Sequence, residues 1–247
     1  MFQLIIYIRC MVNLSVNINK IALIRNSRGS NYPNILQVAK DCERFGADGI
    51  TVHPRPDERH IKFSDLIPLK NIVQTEFNIE GYPSDFFMQQ VLTVKPHQCT
   101  LVPDATDQLT SDHGWDTVTH FDFLKDIVAT LKQNGIRTSL FIDPDNQLIE
   151  NAAKLGADRI EYYTGPYAKN YSIDRNIAIQ PILDTLKTVQ ETDLEINSGH
   201  DLNLENLAFF KQQIPTLKEV SIGHAIVCDS IYLGLENTIR MYKQRLQ

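Results

Sequence analysis

Cysteine is scarce in this chain of 247 residues, with four in all. Cys10, Cys42, Cys99 and Cys228 are so widely separated that no Cys-x-x-Cys pair exists, which excludes a zinc ribbon and a thioredoxin motif. Such spacing fits a reducing compartment and reads as four small core side chains. No apolar run approaches the roughly 20 residues needed to span a bilayer. The N-terminal block Leu4-Ile5-Ile6-Tyr7-Ile8 is too short for a signal sequence, and no small-residue cleavage site follows it. Basic excess is missing as well: 24 Lys+Arg stand against 30 Asp+Glu, a formal charge of −6. A general nucleic-acid binder needs a basic face, so that class is disfavoured. Neither G-x-G-x-x-G nor G-x-x-x-x-G-K-[ST] nor H-E-x-x-H occurs. There is no Pro/Ser-rich linker and no break in composition, so residues 14–247 read as one domain. Residues 1–13 are set apart as an extension, with Met1–Cys10 readable as lying upstream of the natural start.

What the chain does have is one repeating pattern. Short β-type runs stand at Leu14–Ile18, Gly49–His53, Phe77–Gly81, Cys99–Pro103, Thr138–Asp143, Arg159–Thr164, Leu194–Ser198 and Glu219–Gly223. Several are nearly continuously apolar, as in Ser139-Leu140-Phe141-Ile142, the mark of strands buried on both faces. Between them lie stretches of helical spacing. Ile35, Leu36, Val38, Ala39, Cys42 and Phe45 repeat at 3.6 residues, with Pro33 placed to open that helix and Gly46 to cap it. Gly135 and Gly156 end two more helices in the same way, and Pro181 predicts a kink or a late start within 173–190. Eight βα units in a chain of this length predict a closed α/β fold, a (β/α)8 TIM barrel. An open doubly wound sheet is the alternative, but eight units exceed its usual number.

In such a barrel the chemistry sits where the strands end. The predicted ends are rich in polar side chains: Asn17, Asn19 and Lys20 after the first strand, His53, Arg55 and His60 after the second, Glu80 at the third, Thr110 after the fourth. Glu161 lies within the sixth, His200 and Asp201 follow the seventh, and Gly223 and His224 follow the eighth. Four of seven histidines therefore gather at one predicted rim, where imidazoles can move protons near neutral pH. His97, His113 and His120 are expected to be structural or exposed. Arg25, Arg28, Arg55 and Arg59 with Lys20 surround the first two strand ends and suit phosphoryl oxygens. Gly199 and Gly223 would let backbone N–H groups approach a second anion at strands seven and eight. His53, His200 and Glu80 could in principle gather around zinc, but the adjoining arginines oppose a cation, and no metal is expected. For Glu80, burial and neighbouring cations pull its pKa in opposite directions. The long loop between Pro103 and Asp122 is the candidate lid.

These residues resemble one family throughout. Val-Asn-Ile-x-x-Ile-Ala-x-x-Arg-Asn-x-Arg-Gly at 16–29, Gly-Ala-Asp-Gly-Ile-Thr-Val-His at 46–53, Arg-His-Ile at 59–61 and Asn-Ile-Glu at 78–80 are similar to the pyridoxine 5′-phosphate synthase family. So are Lys-Pro-His at 95–97, Leu-Val-Pro at 101–103, Ser-Leu-Phe-Ile-Asp at 139–143, Asn-x-Gly-His at 197–200 and Ile-Gly-His-Ala-Ile at 222–226. The resemblance implies a cytoplasmic, homo-octameric barrel that condenses 3-amino-2-oxopropyl phosphate with 1-deoxy-D-xylulose 5-phosphate. It implies pyridoxine 5′-phosphate, inorganic phosphate and water as products, and neither metal nor organic cofactor. Carried onto this chain, it makes His53 and Glu80 proton acceptors, His200 a proton donor and Glu161 a charge-stabilising group. Asn17, Arg28, Gly223 and His224 would contact the amino-ketone phosphate; Arg55, His60 and Thr110 would contact the deoxyxylulose phosphate. The chain departs from the family at Asn19-Lys20, where Asp-His is frequent, at Asp201 in place of Gly, and at Cys228-Asp229 in place of Gly-Arg. Pro54 and Pro56 would stiffen the second loop. The rival readings are a phosphosugar isomerase, a Schiff-base aldolase using Lys20, and a barrel that binds a phosphorylated metabolite without turnover.

Overall fold

The computed structural model describes residues 11–104 and 110–247. Eight parallel strands close in sequence order, so that β1 (Asn13–Asn17) pairs with both β2 (Gly49–Val52) and β8 (Leu217–Ile222). Between them run β3 (Glu76–Gly81), β4 (Gln98–Leu101), β5 (Arg137–Ile142), β6 (Arg159–Tyr162) and β7 (Glu195–Ser198). The predicted closed barrel is the observed one. Strand bounds differ from the sequence reading by a few residues, because the polar residues assigned to strand ends leave the ladder and turn into the rim. The extension at Met1–Cys10 and the middle of the proposed lid, 105–109, lie outside the described residues.

Helices return the chain from each strand to the next. They are α1 (Asn19–Asn26), α2 (Ile35–Arg44), α3 (Leu66–Ile72), α4 (Asp85–Val94), α5 (Phe121–Gln133) and α6 (Asn146–Leu155). The second half adds α7 (Gly165–Asn170), α8 (Arg175–Leu183), α9 (Leu186–Gln190), α10 (Leu207–Gln213), α11 (His224–Leu233) and α12 (Leu235–Arg245). Local chemistry sets their limits. The Asn34 side chain accepts from the Gln37 N–H and caps α2, so Pro33 stands one residue before the cap rather than at the first helical position. Asp145 caps α6 and Asp174 caps α8 in the same manner. Gly156 ends α6 at φ 81°, a left-handed conformation open to glycine without steric cost. Pro181 sits inside α8, and helical structure breaks after Leu183 before α9 begins.

The strands are buried on both faces, as predicted, but their two faces differ in chemistry. Leu14, Val16, Ile50, Val52, Phe77, Ile79, Leu140, Ile142 and Ile160 are fully buried and form one core cluster with helix residues such as Ile35, Leu69, Val91, Leu131, Ile149 and Phe210. The alternate positions point inward and are mostly polar. Ser15 Oγ lies 2.7 Å from Thr51 Oγ1, and Asn78 donates to Thr51 while accepting from Thr100. Bonds between strands that are not neighbours must cross the barrel interior. Arg159 on β6 donates to Gln98 on β4 at 3.2 Å and to Glu219 on β8 at 3.3 Å, and also reaches Glu195 at 2.9 Å. Arg137 closes this floor by pairing with Glu76. Barrel interiors are usually filled by branched apolar side chains, so this polar filling is a departure with a purpose to be found at the mouth.

Candidate active site

The C-terminal ends of the strands surround a cavity of about 430 Å³. Of the residues singled out from sequence, Asn17, Asn19, Lys20, His53, Arg55, His60 and Glu80 line it from the first three units. Thr110, Glu161, His200, Asp201, Gly223 and His224 line it from the others. Arg28 does not: it follows α1 and is exposed. The predicted basic cluster is thus divided. Arg25 is buried, but both of its terminal nitrogens hold Asp65 at 2.8 Å. Arg59 reaches Asp57 at 3.0 Å. Lys20 and Arg55 remain at the cavity wall.

Two helix starts open onto this space. Asn19 and Lys20 are the first residues of α1, not strand or loop, and Gly223 caps α11 ahead of His224. Backbone N–H groups at such starts favour anions. A Cβ on Gly223 would come within 3.0 Å of Asn17, so glycine there lets β8 and β1 close together. Gly199 is tighter still, since a Cβ would collide with the Ser221 carbonyl.

A chain of hydrogen bonds fixes the first three strand ends. Asn17 Oδ1 accepts from the Asn19 N–H at 3.0 Å, and Asn19 Oδ1 accepts from the His53 N–H at 2.9 Å. Asn17 Nδ2 donates to Glu80 Oε2 at 3.3 Å. His53 Nδ1 stands 3.9 Å from the same oxygen. Across the mouth, Thr110 Oγ1 lies 3.0 Å from His200 Nε2, and His200 Nδ1 lies 3.1 Å from Asp201 Oδ2. The latter is an ion-pair distance without hydrogen-bond alignment, because Nδ1 has no aligned partner. The His200 contact nevertheless holds the Asp201 carboxyl below its usual range.

Burial dominates the electrostatics. It pushes the Glu80 carboxyl up to about 8, helped by the Asp104 charge and opposed by the Ser221 hydroxyl and Arg55. That settles the direction left open by sequence. Glu161 is driven well above the ordinary carboxylate range by burial and by Glu80, and its Oε2 has no hydrogen-bond partner among the described residues. Burial, reinforced by Arg55, holds His53 well below the usual imidazole range. His60 falls to about 4 through burial and the nearby Lys20, Arg59 and Arg55 charges. Burial and the same arginines lower Lys20. At neutral pH His53 and Glu80 therefore face each other mainly as uncharged groups, His53 free to accept a proton and Glu80 to give one, each against the cost of a buried charge.

His97, His113 and His120 stand apart. His97 Nδ1 accepts from the Phe77 N–H, His113 is exposed beside Asp112, and His120 packs edge-on to Trp115. Among the described residues no three His, Cys, Asp or Glu side chains are grouped to hold a metal ion. Nor is any described helix long and apolar enough to cross a membrane. The proposed lid is anchored over its described second part, where the Trp115 backbone N–H donates to the Phe141 carbonyl and the Trp115 ring is buried.

Sequence reasoning missed Thr100, Ser111, Phe141, Tyr163 and Ser221, which also line the cavity. Strand alternation carries a signal for four of them, Thr100 included, since it follows inward Gln98 by two. Phe141 follows inward Ser139 by two, Tyr163 follows Glu161 by two, and Ser221 follows Glu219 by two.

A relative from Parabacteroides distasonis named pyridoxine 5′-phosphate synthase is 59% identical over 94% of this chain and 98% of its own length. One of the same name from Bacteroides fragilis is 56% identical over 96% of this chain and its own full length. Solved structures resemble it more remotely. Thiamine phosphate pyrophosphorylase from Pyrococcus furiosus superposes with TM-score 0.62 at 10% identity, over 96% of each chain. Phosphoribosylanthranilate isomerase from Thermotoga maritima superposes with TM-score 0.59 at 11% identity, over 96% of this chain and 98% of its own. These two speak for the barrel alone. The family model described as pyridoxal phosphate biosynthesis protein PdxJ matches residues 14–247, the whole barrel, and with relatives this similar over their full length the chain belongs to that family.

Proposed function

We propose that this barrel condenses 3-amino-2-oxopropyl phosphate with 1-deoxy-D-xylulose 5-phosphate, releasing pyridoxine 5′-phosphate, inorganic phosphate and water. The observation that carries the reading is the pairing of His53 and Glu80, 3.9 Å apart and both shifted by burial, in a cavity that also holds His200 and Glu161. Forming the imine, expelling phosphate and closing the ring each move a proton on or off carbon or oxygen, so one acid/base group would not suffice. His53 and Glu80 are the proposed acceptors and His200 the donor. Roughly one Glu80 in ten is ionised at pH 7 when its pKa is about 8. A cationic amine entering beside Glu80 and Glu161 lowers both pKa values and enlarges that fraction. Arg55, His60 and Thr110 would receive the deoxyxylulose phosphate. Asn17, Gly223 and His224 would receive the amino ketone, with Asn19, Lys20 and the Asp201 backbone closing the rim. Arg28 joins them only if its exposed side chain swings inward.

The same reading places the protein in the cytoplasm as a homo-octamer, and exposed Ile231 and Tyr232 at the end of α11 give apolar surface for assembly. Light scattering on the eluting species measures the oligomer. The activity is tested by supplying both substrates with a chelator present. Release of phosphate together with a pyridine absorbance supports the proposal, and the absence of both refutes it. Borohydride trapping of a Lys20 adduct would favour the aldolase instead.

A further inference from the structure

Asp104 is not among the cavity-lining residues, yet it is paired with one that is. It follows β4, directly after Leu101-Val102-Pro103, and is 6% exposed. Its Oδ2 accepts from Arg55 Nη2 at 2.5 Å and from Ser111 Oγ at 2.8 Å. Arg55 is itself buried, so the guanidinium and carboxylate are a desolvated, charge-assisted pair. Ser111 joins the loop after β4 to the same oxygen. The other oxygen, Oδ1, is buried and has no hydrogen-bond partner among the described residues. An uncompensated lone pair is a cost that a purely structural contact does not require.

We propose that Asp104 is a positioning residue of the condensation: it fixes the Arg55 guanidinium at the wall where a substrate phosphate would bind. The inference rests on the function proposed above. Two observations support it. A guanidinium paired with a buried carboxylate is held in a fixed plane, and a fixed plane is what phosphate recognition by arginine needs. Asp104 is also the foremost charge acting on Glu80. The other titratable or charged groups around Glu80 are His53 directly after β2, Cys99 on β4, Glu161 on β6, Glu219 on β8 and Arg55 beyond β2. A negative charge favours the protonated carboxyl and the Arg55 cation opposes it, so Asp104 acts on Glu80 both directly and by holding Arg55.

Three variants separate the roles. Asp104→Asn keeps an acceptor for Arg55 and removes the charge. Asp104→Ala removes both. Asp104→Glu keeps the charge. In the pH profile of kcat/KM, the limb reporting Glu80, near pH 8 in the parent, should move to lower pH by on the order of one unit in Asp104→Asn and stay in place in Asp104→Glu. Asp104→Ala should raise KM for 1-deoxy-D-xylulose 5-phosphate by roughly tenfold or more while changing KM for the amino ketone far less. An unmoved limb in Asp104→Asn overturns the electrostatic role. Equal losses for both substrates, tracking a lowered Tm and not rescued by Asp104→Glu, would reduce Asp104 to a structural contact. If the parent protein itself does not turn over, the proposed function falls, and calorimetry decides for Asp104. Binding of 1-deoxy-D-xylulose 5-phosphate that is weaker in Asp104→Ala than in the parent upholds the Arg55 clamp, and equal binding ends it.

Discussion

His53 and Glu80 end adjacent parallel strands, and their side chains meet 3.9 Å apart without forming an ion pair at neutral pH. Burial lowers one and raises the other, so both sit near the uncharged state. A proton passed to His53 or from Glu80 creates a charge in a buried place, so a charged substrate group beside the pair decides when the transfer occurs.

Removing either member should disable the chemistry and spare the fold. His53→Ala and Glu80→Gln are each expected to cut turnover by on the order of 10²-fold or more. Phosphate release measures the loss, and circular dichroism confirms the fold. Near-parental turnover in both would remove this pair from the mechanism.

Glu80 also makes stability depend on pH. Its folded pKa of about 8 lies above the ordinary value of 4.5, so the folded state binds more protons than the unfolded state between those limits. Stability due to this group is therefore lost as pH rises from 4.5 to about 8. Glu80→Gln, which resembles the protonated acid, should melt with the parent at the acid end and above it at the alkaline end. Each kcal/mol recovered should raise Tm by about 2–4 °C. A melting difference independent of pH would contradict the assignment.

The two buried histidines of the second unit should resist protonation. His60 falls to about 4 and His53 lies well below the usual range. Their imidazole carbon protons should show flat NMR shifts from about pH 5.5 to 8. A midpoint near 6.5 for either would show that the cavity is wetter than its geometry implies.

The barrel floor yields a prediction independent of chemistry. Arg159 is buried and holds Glu219, Glu195 and Gln98. Arg159→Ala strands the Glu219 carboxyl and should cost about 3–5 kcal/mol in chemical denaturation. Replacing both partners, Arg159→Met with Glu219→Leu, should recover most of it. Additive losses in the double variant would disprove the coupling.

Much of this was legible in the chain. Glycines 46, 135 and 156 end helices with φ between 71° and 111°, as their spacing implied. The counting of βα units led to the closed barrel. Within the site, Asn17, His53, Glu80, Glu161 and His200 meet because strand ends are where a barrel gathers distant residues. Arg25 and Arg28 show the limit of that logic. Both follow the first strand in sequence, but the eight residues of α1 carry them away from the rim, one into a pair with Asp65 and the other into solvent. Asp104 was invisible for a different reason: a residue that acts through Arg55 carries no spacing signal of its own. The polar lining was hidden too, since Ser139-Leu140-Phe141-Ile142 reads as apolar until alternation divides it between two faces.

That division has a consequence for how the chain finds its arrangement. Sliding β3, β6 or β7 by a single residue would turn an isoleucine toward the centre and drive an amide or acid into the helical shell. Both errors are penalised together, so each strand is held in place from two sides during folding, and the few positions that bear the chemistry inherit their alignment from dozens that do not.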